Sequence, residues 1–172
     1  MATKLKEISV SVGGLTGTWG VDDAQRKAAW EIYVELVTRI AVAPLGANQG
    51  LLREALDSLY ALFGETRRVM REYGPDIAIP DKKRMLSLGQ IAIYVLNKHL
   101  RPFLSAWHPE LKNHEAQPHP GKTNVEHERA WPKEKQMRDE LAALSQTMTL
   151  YADILALACE VPSLHRESPV TA

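Results

Sequence analysis

Residues 137–161 read MRDELAALSQTMTLYADILALACEV, and Met137, Leu141, Leu144, Met148, Tyr151, Leu155 and Ala158 recur there at alternating spacings of four and three. That period keeps them on one face of an α-helix, the seam one helix presents to another. A second set, Ala143, Thr147, Leu150, Ile154, Leu157 and Val161, runs beside the first. Together they leave Ser145, Gln146, Thr149 and Asp153 as a narrow polar strip. A helix apolar over about half its circumference needs more than one neighbour to cover it. The stretch is therefore expected at the centre of a helical bundle.

The neighbours lie upstream. Asp22-Asp23 can cap a helix over 24–44 whose apolar positions are Trp30, Tyr33, Val34, Val37, Ile40 and Ala41, closed by Pro44. From 49 to 73, Leu52, Leu56, Leu59, Phe63, Thr66, Met70 and Tyr73 step by four and three. Leu51, Ala55, Leu62 and Val69 add apolar surface beside that seam, and Gly74-Pro75 stops the helix. A linker over 74–84 follows, from which Ile77 and Ile79 can tuck under the bundle. The third helix starts near Met85 and carries Ile93, Leu96, Leu100, Phe103 and Trp107 in phase, with a kink expected at Pro102. After the loop QPHPGKTN, 117–124, comes the fourth helix, in which Trp131-Pro132 either kinks the first turns or marks where the helix proper begins.

Residues 4–21 obey a different period. Ile8, Val10 and Val12 alternate with Glu7, Ser9 and Ser11, and Gly13-Gly14 supplies a turn before Leu15, Thr16, Thr18, Trp19 and Val21. The sequence thus predicts an all-α fold, an antiparallel up-down-up-down four-helix bundle with a small N-terminal β-hairpin. Residues 1–21 form the hairpin or an extended leader, 22–161 the bundle, and 162–172, polar and proline-punctuated, a disordered tail.

The 172 residues are 45% apolar and 24% charged, as in ordinary globular proteins, and long enough for one self-sufficient core. Twenty-one basic residues balance twenty-one acidic ones, so no global field marks a nucleic-acid or membrane binder. The single Cys159 cannot form an internal disulfide and reads as a small buried thiol in a reducing, cytoplasmic compartment. No uninterrupted apolar run suggests a transmembrane helix, and MATKLKEISVSVGG is too polar for a secretory signal. No membrane partner is expected.

Chemistry is sparser. No Gly-x-Ser-x-Gly turn, Walker lysine or dinucleotide unit is present, so neither a catalytic residue nor a cofactor is assigned and no enzyme is expected. Five of six histidines lie between His99 and His127, yet none has a glutamate three residues before it. No metal ligands are assigned, and a metal-dependent enzyme using His108, Glu110 and His114 is the weakest of three readings. His99, on the apolar side beside Val95, reads as a hydrogen-bonded core or semi-buried histidine.

Two other readings have more support. Residues 66–101 hold eight basic and three acidic side chains, netting +5, and Arg67, Arg68, Arg71, Lys82, Lys83 and Arg84 could grip nucleic-acid phosphates. The excess apolar surface, above all Leu150, Ile154 and Leu157 on the second seam, suggests a protein interface. The leading expectation is a non-catalytic helical module acting through protein–protein association, as a homo-oligomer. The alternative is a nucleic-acid-binding accessory protein. The four tryptophans are expected in the core.

Overall fold

A computed structural model describes residues 6–39, 49–83 and 85–166. Strands β1 (Lys6–Val12) and β2 (Leu15–Val21) pair antiparallel, with Val12 opposite Leu15 and Lys6 opposite Val21. Gly13 and Gly14 have φ of 55° and 93°, the positive values that a two-residue hairpin turn requires. Alternation then does what it predicts. Ile8, Val10 and Val12 all face the core, where they meet Trp19, which is fully buried. The hairpin is part of the main hydrophobic core, packed against the last long helix.

Helix α1 (Asp23–Val37) begins at Asp22, whose carboxylate accepts from the Gln25 N–H at 2.8 Å. Buried Gln25 is a junction between three elements. Its Oε1 accepts from the Trp19 indole at 2.6 Å and from the Leu88 N–H at 2.9 Å, and its Nε2 donates to the Gly20 carbonyl at 3.3 Å. The helix stops at Val37, well before Pro44, with Thr38 bonded back to the Val34 carbonyl. Ile40 and Ala41 lie outside the described residues. The buried face is also rotated from the expected one: Ala28, Ala29, Ile32, Tyr33 and Leu36 are inside, whereas Trp30 is 41% exposed. Alanines let α1 approach its neighbours closely, and that contact, not the largest side chain, sets its orientation.

Helix α2 (Leu52–Tyr73) buries Ala55, Leu62 and Val69 together with Leu52, Leu56, Leu59 and Thr66. Three of the residues read as surplus are thus core, while Phe63, Met70 and Tyr73 are only partly covered. Gly74 (φ 67°) ends the helix and a 3-10 turn, Gly74–Ala78, follows. Ile77 tucks fully inside; Ile79 remains 61% exposed.

Leu86 bridges to Trp19, and Ser87 then opens α3 (Leu88–Val95) with a reciprocal capping box to Gln90. A π-helical turn, Leu96–Leu100, joins α3 to α4 (Arg101–Glu115), where the Arg101 N–H donates to the Leu96 carbonyl. This π turn lies just ahead of Pro102, the position at which the sequence predicts a kink. Proline has no N–H for the preceding turn, and the wider π register accommodates that deficit just before it. After α5 (Asn124–Arg129), the long helix α6 (Glu134–Cys159) begins beyond Pro132. It ends at Glu160 in the left-handed region, φ 58°, with the Val161 N–H on the Ala156 carbonyl at 3.1 Å.

Helix α6 is long and apolar enough by composition to cross a membrane, but 56% of that window is buried here against α1, α4 and β1. Of the stretch 162–172 expected as a disordered tail, residues 162–166 are described and contact the fold. Ser163, His165 and Arg166 all engage Asp153 of α6, and the Leu164 N–H donates to the Tyr33 hydroxyl at 2.7 Å. Residues 167–172 lie outside the described residues.

Candidate functional site

Three surfaces carry the residues singled out by sequence. The first is the outer side of α1 and α6, which pack on each other. Leu150 is 48% exposed and Leu157 53%, but Ile154 is only 6% exposed. At about 100° per residue, positions seven apart nearly coincide while 154 stands roughly 40° to one side. That offset turns Ile154 into the core, so of the three residues only Leu150 and Leu157 are exposed. Trp30 and Val34, one turn apart on α1, are also exposed. Tyr33 links this side to the tail: its ring lies 5.9 Å from Trp30, and its hydroxyl holds Leu164, itself 60% exposed.

The second surface is the basic segment, residues 67–84. Arg68 is surrounded by Glu31, Glu65 and Glu72, which raise its pKa further. The Tyr73 hydroxyl donates to Glu31 at 2.6 Å and, with Arg68, holds that carboxyl below its usual range. The same bond pushes the Tyr73 hydroxyl up to about 12. Lys82 pairs with Glu7 of β1 at 2.9 Å. Arg84 lies outside the described residues. Arg67, Arg71 and Lys83 are exposed and form no ion pair among the described residues. Arg67 opens instead onto a hollow shared with Arg101 of α4.

The third is a cleft of about 600 Å³ where α4 meets α5 and the start of α6. Its wall is a ladder of rings. His119 stacks on His127 at 4.1 Å, His127 on His114 at 4.0 Å, and His114 on Trp131 at 5.4 Å. Trp107 closes the row edge-on to Trp131 at 6.0 Å. His114 Nε2 donates to the His127 carbonyl and His127 Nε2 to the His114 carbonyl, both at 2.9 Å. Carbonyls only accept, so both rings carry the proton on Nε2. This reciprocal pair ties α5 onto the end of α4, a structural duty that sequence showed only as histidine clustering.

The metal reading finds no geometry. Glu110 pairs with Lys133, His108 lies edge-on to Tyr60 at 6.2 Å, and His114 belongs to the ladder. Among the described residues no three of His, Cys, Asp and Glu converge to hold a metal ion. His99 is half-buried and hydrogen-bonded as expected, its Nε2 on the Gly13 carbonyl at 3.0 Å, and the Tyr94 hydroxyl donates to the same carbonyl at 2.8 Å.

Sequence patterns did not single out Glu128. This buried carboxylate accepts the Leu52 N–H at 2.9 Å and so caps α2 from a distant helix, with Arg138 3.4 Å away. Burial pushes its pKa up, against the pull of the Leu52 N–H and Arg138. No family model matches the chain, and no curated protein or solved structure is significantly similar to it.

Proposed function

We propose that the protein is a non-catalytic helical module that works through protein–protein association, with a second copy of itself as the partner. The helical order within it is taken as up-down-up-down over α1, α2, α3–α4 and α6. The arrangement of ends supports that order: the start of α2 meets the end of α4 through Arg53–Glu115, while the start of α1 meets that of α3 through Gln25–Leu88.

The observation that carries the association is the exposure of Leu150 and Leu157 on a helix whose other apolar face is buried. Leucines seven residues apart are spaced for pairing with the same stripe of a two-fold-related α6. Trp30 and Val34 are exposed on α1, the helix packed beside it. Nothing about this surface calls for a reactive group.

Light scattering over a concentration series extending to high micromolar tests the reading. The expected mass is that of a dimer or higher closed oligomer, and Leu150→Glu with Leu157→Glu is expected to return it to the monomer. Both side chains are about half exposed, so the variant should keep its helical circular dichroism. A strictly monomeric mass for the unaltered chain would remove the self-association.

A further inference from the structure

The groove between α2 and α4 holds two arginines that form no ion pair among the described residues. Arg26, Arg39 and Arg53 each face a carboxylate, as do Arg68, Arg138 and Arg166. Arg67 and Arg101 face none among the described residues. Both open onto one hollow of about 300 Å³, whose other walls are Tyr60, Phe63, Leu104 and Ser105. No acidic side chain lines it. Arg101 stands over the Phe63 ring, 5.4 Å from its centroid, and bonds to Asn97, so its guanidinium is held in place without being neutralised.

Gly64 also lines this hollow, and a Cβ there would meet nothing within 4 Å. A second hollow of about 290 Å³ continues the groove past Tyr60 and Leu104 towards His108. Tyr60 stands between the two, 64% exposed and steadied edge-on by His108.

We propose that this groove binds a nucleoside phosphate, with the phosphate between Arg67 and Arg101 and the planar base on the Tyr60 ring. Guanidinium forks match phosphate oxygens, and an exposed ring beside them is a stacking platform indifferent to base identity. A plain carboxylate would use the arginines and leave Tyr60 idle. The unit can be free or part of a single strand, and the two sources separate experimentally.

Anisotropy of fluorescein-labelled oligo-dT and oligo-U of about 12 nucleotides, at about 50 and 200 mM salt, tests the strand arm. Competition by AMP tests the free nucleotide. Binding is expected to weaken as salt rises, and about tenfold in Arg67→Gln and in Tyr60→Ala. Both side chains are exposed, so melting temperatures should match the unaltered chain; Arg101→Gln adds a third variant if it melts normally. Displacement by AMP supports the site with free nucleotide as an occupant, and its failure supports the site with the strand as the occupant. No binding of strand or AMP at the lower salt would overturn the proposal. So would affinities indifferent to Arg67→Gln, or a Tyr60→Ala variant that binds as well as the unaltered chain, which would leave a simple anion site. A monomeric protein that binds strands would remove the proposed association and leave this groove standing.

Discussion

Single buried polar groups hold the helices in register. Glu128 is the plainest case, because Leu51 offers no side-chain cap and the first N–H of α2 is satisfied from a helix far along the chain. Removing the acceptor in Glu128→Ala leaves that N–H unpaired, at a cost of about 1–3 kcal/mol. Glu128→Gln keeps an oxygen towards Leu52. Because the folded state holds the Glu128 proton more tightly than the unfolded chain, this group's contribution is fully present below its unfolded pKa. It is lost as pH rises through the raised folded value. The melting temperature of Glu128→Gln relative to the unaltered chain should therefore rise between pH 4 and neutrality. A difference that is flat with pH would show that the carboxylate is not desolvated in the fold.

Elements are joined by close backbone approaches that tolerate little side-chain volume. The hairpin turn sits against the π-helical turn so tightly that a Cβ on Gly13 would lie 2.1 Å from His99 Nε2. Gly13→Ala must move the imidazole off the Gly13 carbonyl and hold alanine at φ 55°, a combined cost of about 2–3 kcal/mol. Gly121 has φ 77° but open space around it, so Gly121→Ala carries only the conformational part, about 1–2 kcal/mol. At about 2–4 °C per kcal/mol for a chain of this size, thermal melting should separate the two variants. Equal shifts would mean that the hairpin does not depend on His99. Pro102, the Gly13-Gly14 turn and the histidine are all visible in the sequence. That the turn and the histidine meet just ahead of Pro102 is not, because the meeting depends on how the hairpin lies against α3 and the π turn.

Across the whole molecule, α1 and α6 share one seam, and Cys159 reports on it. The thiol is half-buried, donates to the Arg26 carbonyl at 3.6 Å, and is pushed up to about 11 by burial. Iodoacetamide at pH 8 should label the native chain at least about tenfold more slowly than the denatured chain, since the thiolate is the nucleophile. Similar rates in both would place the seam open in solution. The sequence by itself determined the hairpin, its turn, the long central helix and the stop at Gly74, because each follows from local period and backbone stereochemistry. It also marked α6 as a helix needing several partners. Only the tertiary structure decided which residues those partners cover: Trp30 outside, Ala55, Leu62 and Val69 inside, Ile154 covered and its neighbours Leu150 and Leu157 not. It likewise separated Arg68 and Lys82, each paired with a carboxylate from another element, from Arg67, which shares a groove with Arg101. Periodicity defines a helix's apolar arc, but the angle at which that arc meets its neighbours is set by small residues and ion pairs contributed from elsewhere in the chain.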